Sequence, residues 1–137
     1  MARRYLLDTH ICIYITKNAP IAVRQRLEQH AASELAMSVI TLGELRFGAE
    51  KSRSRDLALA AIDQLARQIA ICDLPRDAAS HYGEIRAALQ LSGRPIGGND
   101  LWLAAHARAD GLIMVTNNVS EFRRVPGLKV ENWAETS

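Results

Sequence analysis

RYLLDTH, residues Arg4 to His10, passes from an apolar run to an acid in a single step. Tyr5, Leu6 and Leu7 are enough for a buried strand and too few for a buried helix. Asp8 ends the run. Thr9 then opens a second apolar stretch through Ile11, Cys12 and Ile13, which reads as a short helix from Thr9 to Ile15. A strand that hands over to a helix through one acid suggests a βα unit, and the handover recurs. Leu35 to Ser38 reads as a strand and Ile40 to Ala49 as a helix, opened by the capping-box pattern Thr41-x-x-Glu44. Arg3 to Leu7, Ala70 to Cys72 and Leu112 to Val115 read as further strands, and Lys129 to Glu131 as an edge strand. Pro20 suits the first turn of a helix running to about His30. Ala58, Ile62, Leu65 and Ile69 mark one helical face, and Ala78, Tyr82, Ile85 and Leu89 mark another. Strands alternating with helices predict a single α/β domain over residues 1–137, a three-layer α/β/α arrangement with a mostly parallel central sheet.

The composition agrees with such a domain. A chain of 137 residues with 48% hydrophobic and 23% charged residues can bury one core and is not a disordered tract. Its net charge of +2 is too small to imply a nucleic-acid partner, so any basic patch must be local. No apolar stretch is long enough to span a bilayer, and the run after Arg3 and Arg4 is cut at once by Asp8, a poor signal peptide. The expected location is cytoplasmic. Cys12 and Cys72 lack CxxC spacing and read as buried, reduced thiols. His10, His30, His81 and His106 are scattered without ligand spacing. Gly93 and Gly98 stand at P-loop spacing, but Asn99-Asp100 replaces the required Lys-Ser/Thr. Trp102 and Trp133 read as packing residues. The apolar "LWLAAHA" after the loop "SGRPIGGND" reads as a deeply buried helix.

Three acids fall at comparable seams. Asp8 follows the first strand. Glu44 lies one turn into the helix after the second. Asp100 starts the buried helix. Residues just after the strands of a parallel sheet gather at its carboxyl edge, so acids far apart in sequence can meet there. Each has a plain structural account. Asp8 can cap its helix, Glu44 can partner Thr41, and Asp100, with Asn99 as N-cap, can favour the positive end of its helix. Jointly that account weakens, because desolvated like charges repel. No Lys or Arg adjoins Asp8 or Asp100 at these seams. A divalent cation is the economical partner, and an all-carboxylate set suits Mg²⁺ or Mn²⁺ rather than Zn²⁺.

"LLDT", the acid in "TLGELRFGA", "IGGNDLWLAAHA" and "MVTNNVSEFRRVPGLKVENW" together resemble the PIN-domain family, and within it the VapC-type toxins of bacterial toxin–antitoxin pairs. The resemblance runs from about Tyr5 to Trp133. It implies a Mg²⁺-dependent endoribonuclease acting on structured RNA. The subgroup is similar to toxins that cut initiator tRNA near the anticodon. It also implies a cognate VapB-like antitoxin, whose C-terminal segment wraps the toxin, and a homodimer within a larger complex. The family's acidic quartet maps onto Asp8, Glu44 and Asp100. At the fourth position, where many members carry Asp, this chain has Asn118, with Glu121 three residues on. Asn118 and Glu121 also form an Asn-x-x-Glu capping pattern.

The chemistry suits the residues. One or two Mg²⁺ ions held by carboxylates would activate a water and screen the charge that builds on a phosphodiester. Thr9 and Thr116 can hydrogen-bond a ligand, water or phosphate, or simply cap helices. Arg46, Lys51, Arg53 and Arg55 can form a local rim for RNA phosphates, or a solvated helix connection. Two rival readings are a non-catalytic PIN-like module that binds RNA or protein, and a DNase of the same architecture. Intact Asp8, Glu44 and Asp100 argue against the first.

Overall fold

A computed structural model describes residues 3–134. Five strands, β1 (Tyr5–Leu7), β2 (Leu35–Ser38), β3 (Ala70–Cys72), β4 (Ile113–Val115) and β5 (Val130–Glu131), form one sheet in the order β3-β2-β1-β4-β5. Every pairing is parallel. The helices are α1 (Thr9–Lys17), α2 (Ile21–Glu28), α3 (Val39–Glu50), α4 (Arg55–Gln68), α5 (Ala78–Leu91), α6 (Gly98–Asp110) and α7 (Val119–Phe122). The chain builds outward from β1 to β3, then returns to lay β4 on the other flank of β1. The order therefore reverses between β1 and β4, and such a switch point opens a crevice at the carboxyl ends of the strands.

The strands obey the period of two that lets a sheet bury both faces. Leu6, Ala36 and Met114 point to one side, where they meet Ile85 and Leu89 of α5 and Leu101 and Leu103 of α6. Tyr5, Leu7, Leu35, Met37 and Val115 point to the other, against Ile11, Leu45, Ile62 and Leu65 from α1, α3 and α4. Two apolar clusters on opposite faces make the expected α/β/α sandwich. Burying each such Leu or Ile contributes roughly 1.5–3 kcal/mol before entropy is counted.

The first strand starts at Tyr5 rather than Arg3, because Arg3 and Arg4 are exposed at the sheet's amino edge. Three capping expectations fail. Ser38, not Thr41, caps α3, its hydroxyl accepting from the Ile40 N–H at 3.1 Å. Thr41 lies inside the helix, buried, with no partner for its hydroxyl. Gly97, not Asn99, occupies the N-cap of α6. Asn118 does stand at the N-cap of α7, but its side chain makes no capping bond.

Trp133 packs as expected, its ring stacked on His30 with centroids 5.1 Å apart and its Nε1 donating to Glu131. The Cys12 thiol is buried, and burial together with the Asp8 charge raises its pKa, which keeps it inert. Cys72 is only half-buried. Among the described residues no helix is long and apolar enough to cross a membrane.

Candidate active site at the carboxyl edge of the sheet

Asp8 leaves β1 at the switch point and caps α1. Only 4% of it is exposed. Its Oδ1 accepts from the Ile11 N–H at 2.9 Å, and its Oδ2 accepts from the Thr116 hydroxyl at the end of β4. The Thr116 Oγ1 in turn accepts from the Asn118 N–H at 2.9 Å. One buried hydroxyl thus ties the acid to the turn that leads into α7.

Glu44 approaches from α3. Its Oε1 accepts from the Thr9 hydroxyl at 2.6 Å, so its partner is the residue after Asp8, not Thr41. Asp100 projects from the first turn of α6 and is half-buried. Glu121 stands in α7, also half-buried.

These acids feel one another. Burial is the main cause that raises the Asp8 pKa. Hydrogen bonds from Thr116 and Ile11 and the nearby His10 oppose it, and the Glu44 charge adds to it. The Asp100 carboxyl is pushed up to about 6, first by burial, then by the charge of Glu121 and a hydrogen bond shared with it, then by Glu44 and Asp8. None of the ion pairs among the described residues includes any of the four acids. Clustered carboxylates, two of them raised in pKa and none in an ion pair with Lys or Arg, are a hard-oxygen donor set in need of a cation. Among the described residues no three acid, histidine or cysteine side chains close on one point as a ready-made cage. Mutual repulsion is a sufficient reason for like charges to stand apart without a counter-ion. By its chemistry the donor set fits Mg²⁺ or Mn²⁺.

The other expected residues divide. Thr9 and Thr116 spend their hydroxyls on Glu44 and Asp8, and Thr116 is fully buried, which removes it from direct contact with RNA. Arg46 lies 3.8 Å from Asp63, and Arg55 binds Glu50 at 2.8 Å and Asp56 at 3.3 Å. Lys51 sits over the Phe47 ring at 4.7 Å, and Arg53 is exposed. Half of that rim is therefore neutralised by local acids.

A support that sequence reasoning missed lies between α3 and α6. The Nδ1 of the buried His106 is 2.9 Å from the Ser38 hydroxyl that caps α3, and its Nε2 is 3.3 Å from Asp110. The i,i+4 spacing of His106 and Asp110 was a visible signal for half of it.

Comparison with known proteins places this geometry among relatives. A model described as PIN domain matches residues 5–128. The chain is 45% identical to the tRNA(fMet)-specific endonuclease VapC of Shigella flexneri, over 96% of this chain and 98% of that one. It is 43% identical to ribonuclease VapC2 of Haemophilus influenzae, over 95% and 98%. Its fold superposes on a DNA-bound VapBC structure from Salmonella typhimurium with a TM-score of 0.90 and 40% identity, covering 96% of this chain and 98% of that one. For VapBC2 of Rickettsia felis, bound to a promoter DNA fragment, the TM-score is 0.88 at 38% identity, covering 94% and 98%.

Proposed function

This chain belongs to the PIN-domain family, in its VapC branch, and from that premise we propose that it is a divalent-metal-dependent endoribonuclease toxin that hydrolyses phosphodiester bonds in tRNA, with the anticodon region of initiator tRNA as its target. The observation that carries the reading is the acidic cluster at the switch point, in which Asp8 and Asp100 are raised in pKa first by burial and then by neighbouring acids, and in which none of the four acids joins an ion pair among the described residues.

Asp8, Glu44, Asp100 and Glu121 would hold Mg²⁺ or Mn²⁺, with Asn118 as an outer, uncharged contributor. When bound, the cation supplies electrostatic stabilisation of the charge that develops on the phosphodiester and favours ionisation of water at neutral pH. The protein does the rest. Thr116 and the Ile11 N–H fix the Asp8 carboxylate, and Thr9 fixes that of Glu44. Asp100 and Glu121 would add their charge from α6 and α7, where burial first and then the Glu121 charge hold the Asp100 carboxyl at about 6. Positioning of this kind, with acids held on rigid elements rather than on loops, is where such a site gains rate.

The partner follows from the same family premise. A VapB-like antitoxin would hold the toxin inactive within a larger complex, and the toxin itself would be a homodimer. Support comes from an apolar groove of about 480 Å³ beside Glu44, lined by Ile13, Leu45, Ala49, Leu57 and Ile62. Leu57 is largely exposed, and an amphipathic segment can cover it and the groove.

Incubating the purified chain with a tRNA pool tests the proposal, with Mg²⁺ in one arm and EDTA in the other and with Asp8→Asn as control. Discrete cleavage that needs the metal and Asp8 is expected, mapped by the new 5′ ends. No cleavage of any RNA under any divalent cation would overturn it in favour of a binding module.

A further inference from the structure

A second cleft opens between α5 and the first turn of α6, the turn that also carries Asp100. Its volume is about 170 Å³, and Tyr82, Arg86, Leu89, Gln90, Ile96 and Leu101 line it. Tyr82, Arg86 and Leu89 with Gln90 recur at helical spacing, so they present one face of α5. The floor is the first turn of α6. Gly98 and Leu101, three residues apart on one face of α6, line the cleft, and Asp100 stands in the same first turn, about 100° round the helix from Leu101.

The walls are apolar and the rim is polar. Tyr82 is stacked on Trp102, centroids 4.0 Å apart and planes 19° from parallel, which stiffens that wall. The Arg86 Nη1 donates to the Tyr82 hydroxyl at 2.8 Å, holding the guanidinium at the mouth. On the opposite bank the Arg124 Nη1 donates to the Pro95 carbonyl at 3.3 Å, and Pro95 also lines the cleft. The Arg124 Nε is buried and donates to nothing. Among the described residues Arg86, Arg94 and Arg124 have no carboxylate partner, unlike Arg46 and Arg55 on the α3–α4 side.

Such a cleft is too small for a whole cofactor, whose pockets run to roughly 300–1,000 Å³. It suits one planar group with apolar faces and a polar edge. Arg86 at the mouth, with Arg124 bound to the Pro95 carbonyl behind the other wall, asks for an anion attached to that group. We propose that the cleft is a nucleobase subsite: it takes one base of the RNA strand next to the cleaved phosphodiester, with Gln90 at the base edge and Arg86 and Arg124 toward the adjoining phosphate. Base faces pack against apolar and guanidinium surfaces, and arginines anchor the backbone. The assignment rests on the RNA-cleaving function proposed above.

The test uses the full chain and two readouts. In the first, the four ribonucleoside monophosphates are titrated without divalent cation, and Trp102 fluorescence is followed, with Trp102→Phe to identify the signal (Trp133 is buried). Saturable quenching that Arg86→Ala/Gln90→Ala abolishes is expected. In the second, the same double variant, altered only at exposed positions, is assayed on tRNA. KM should rise roughly 5- to 100-fold, the size expected for one stacked base, with kcat little changed. An unchanged KM together with no nucleotide binding would overturn the subsite. A KM change that tracks a shift in oligomeric state by sedimentation would also overturn it, assigning the cleft to a second copy of the chain. If the wild-type protein cleaves no RNA at all, the proposed function fails, while the nucleotide titration still decides the subsite.

Discussion

Thr116, at the end of β4, donates its hydroxyl to Oδ2 of Asp8, at the end of β1. The two residues are 108 apart in sequence and lie side by side because β1 and β4 pair at the point where the strand order reverses. The same oxygen of Thr116 accepts from the Asn118 N–H. Thr116→Val keeps the shape and removes both bonds. It should cost about 1–3 kcal/mol, because two buried polar groups lose a partner. Cleavage should fall about 10- to 100-fold, as when the support of a metal ligand is lost. Thr116→Ser should restore most of both. Thermal melts and single-turnover rates measure the effect, and a Thr116→Val enzyme at the wild-type rate would remove Thr116 from the site.

Asp8 has two tasks that a single substitution can separate. Its Oδ1 caps α1, and its charge belongs to the acidic cluster. Asp8→Asn retains a carbonyl oxygen for the Ile11 N–H and relieves repulsion. Metal-free stability should therefore hold or rise while cleavage is abolished. Asp8→Ala loses the cap as well and should be about 1 kcal/mol less stable than Asp8→Asn. Calorimetry in EDTA with a parallel cleavage assay distinguishes the two. Equal cleavage by Asp8→Asn and wild type would show that the charge is not catalytic.

The layers, and the gathering of Asp8, Glu44 and Asp100, were legible in the sequence for a physical reason. Short apolar runs bounded by polar residues can be little but buried strands, and the carboxyl-edge rule then assigns the acids a common side. β2 and β3 have the bounds that their apolar runs mark in the sequence. The caps were not legible. Thr41-x-x-Glu44 matches a box, but the Ser38 hydroxyl lies three residues earlier and takes the N-terminus, while Thr9 draws Glu44 away. Local pattern says nothing about that contact, 35 residues distant. Of the two readings of the basic rim, local pattern could not choose: Arg55 finds Glu50 five residues back, so a run of cations need not leave free charge.

Asp100 should make metal-free stability depend on pH. Its carboxyl titrates near 3.8 in the unfolded chain and at about 6 in the folded one. Below 3.8 both states hold the proton and its contribution to stability is fully present. Between 3.8 and 6 the folded state keeps a proton that the unfolded state has lost, so stability falls as pH rises, and above 6 the loss is complete. Asp100→Asn should therefore be more stable than wild type at pH 7 in EDTA, with the gain shrinking toward pH 4. Metal affinity should show the complement, weakening by up to about tenfold per pH unit below 6 as protons compete for the site. Urea melts across this range would refute the assignment if the gain grew toward acid.

His106 joins the helix that carries Asp100 to the cap of the helix that carries Glu44. Burial lowers its pKa and favours the neutral ring, against the opposing Asp110 charge. His106→Ala leaves a cavity and strips the Ser38 hydroxyl of its neighbour, so a loss of about 2–4 kcal/mol is expected. His106→Asn can present an amide to Ser38 and should recover part of it. Chemical denaturation of the two variants checks this, and equal loss in both would mean that volume, not the Ser38 contact, is what matters.

Glu121 and Asn118 compete for the fourth place in the acidic site. The Asn118 side chain makes no capping bond, and its backbone N–H is spent on Thr116. Glu121 is the largest charge acting on Asp100 and, after burial, the main cause of its raised pKa. A neutral amide oxygen offers a cation far less than a carboxylate does. Glu121→Gln should thus lower Mg²⁺ affinity more than Asn118→Ala, and it should also bring the Asp100 pKa down toward the ordinary carboxylate range by removing a like charge. Asn118→Ala should lose about 10- to 100-fold in activity, partly recovered by excess Mg²⁺. Asn118→Asp adds a charge where the family often has one and should hold or raise metal affinity. Isothermal titration with Mg²⁺ and Mn²⁺, alongside carboxyl NMR titration of Asp100, reads both effects. A folded Asn118→Ala protein that stays dead at high Mg²⁺, beside a Glu121→Gln protein that binds metal and titrates as wild type does, would exchange the two roles.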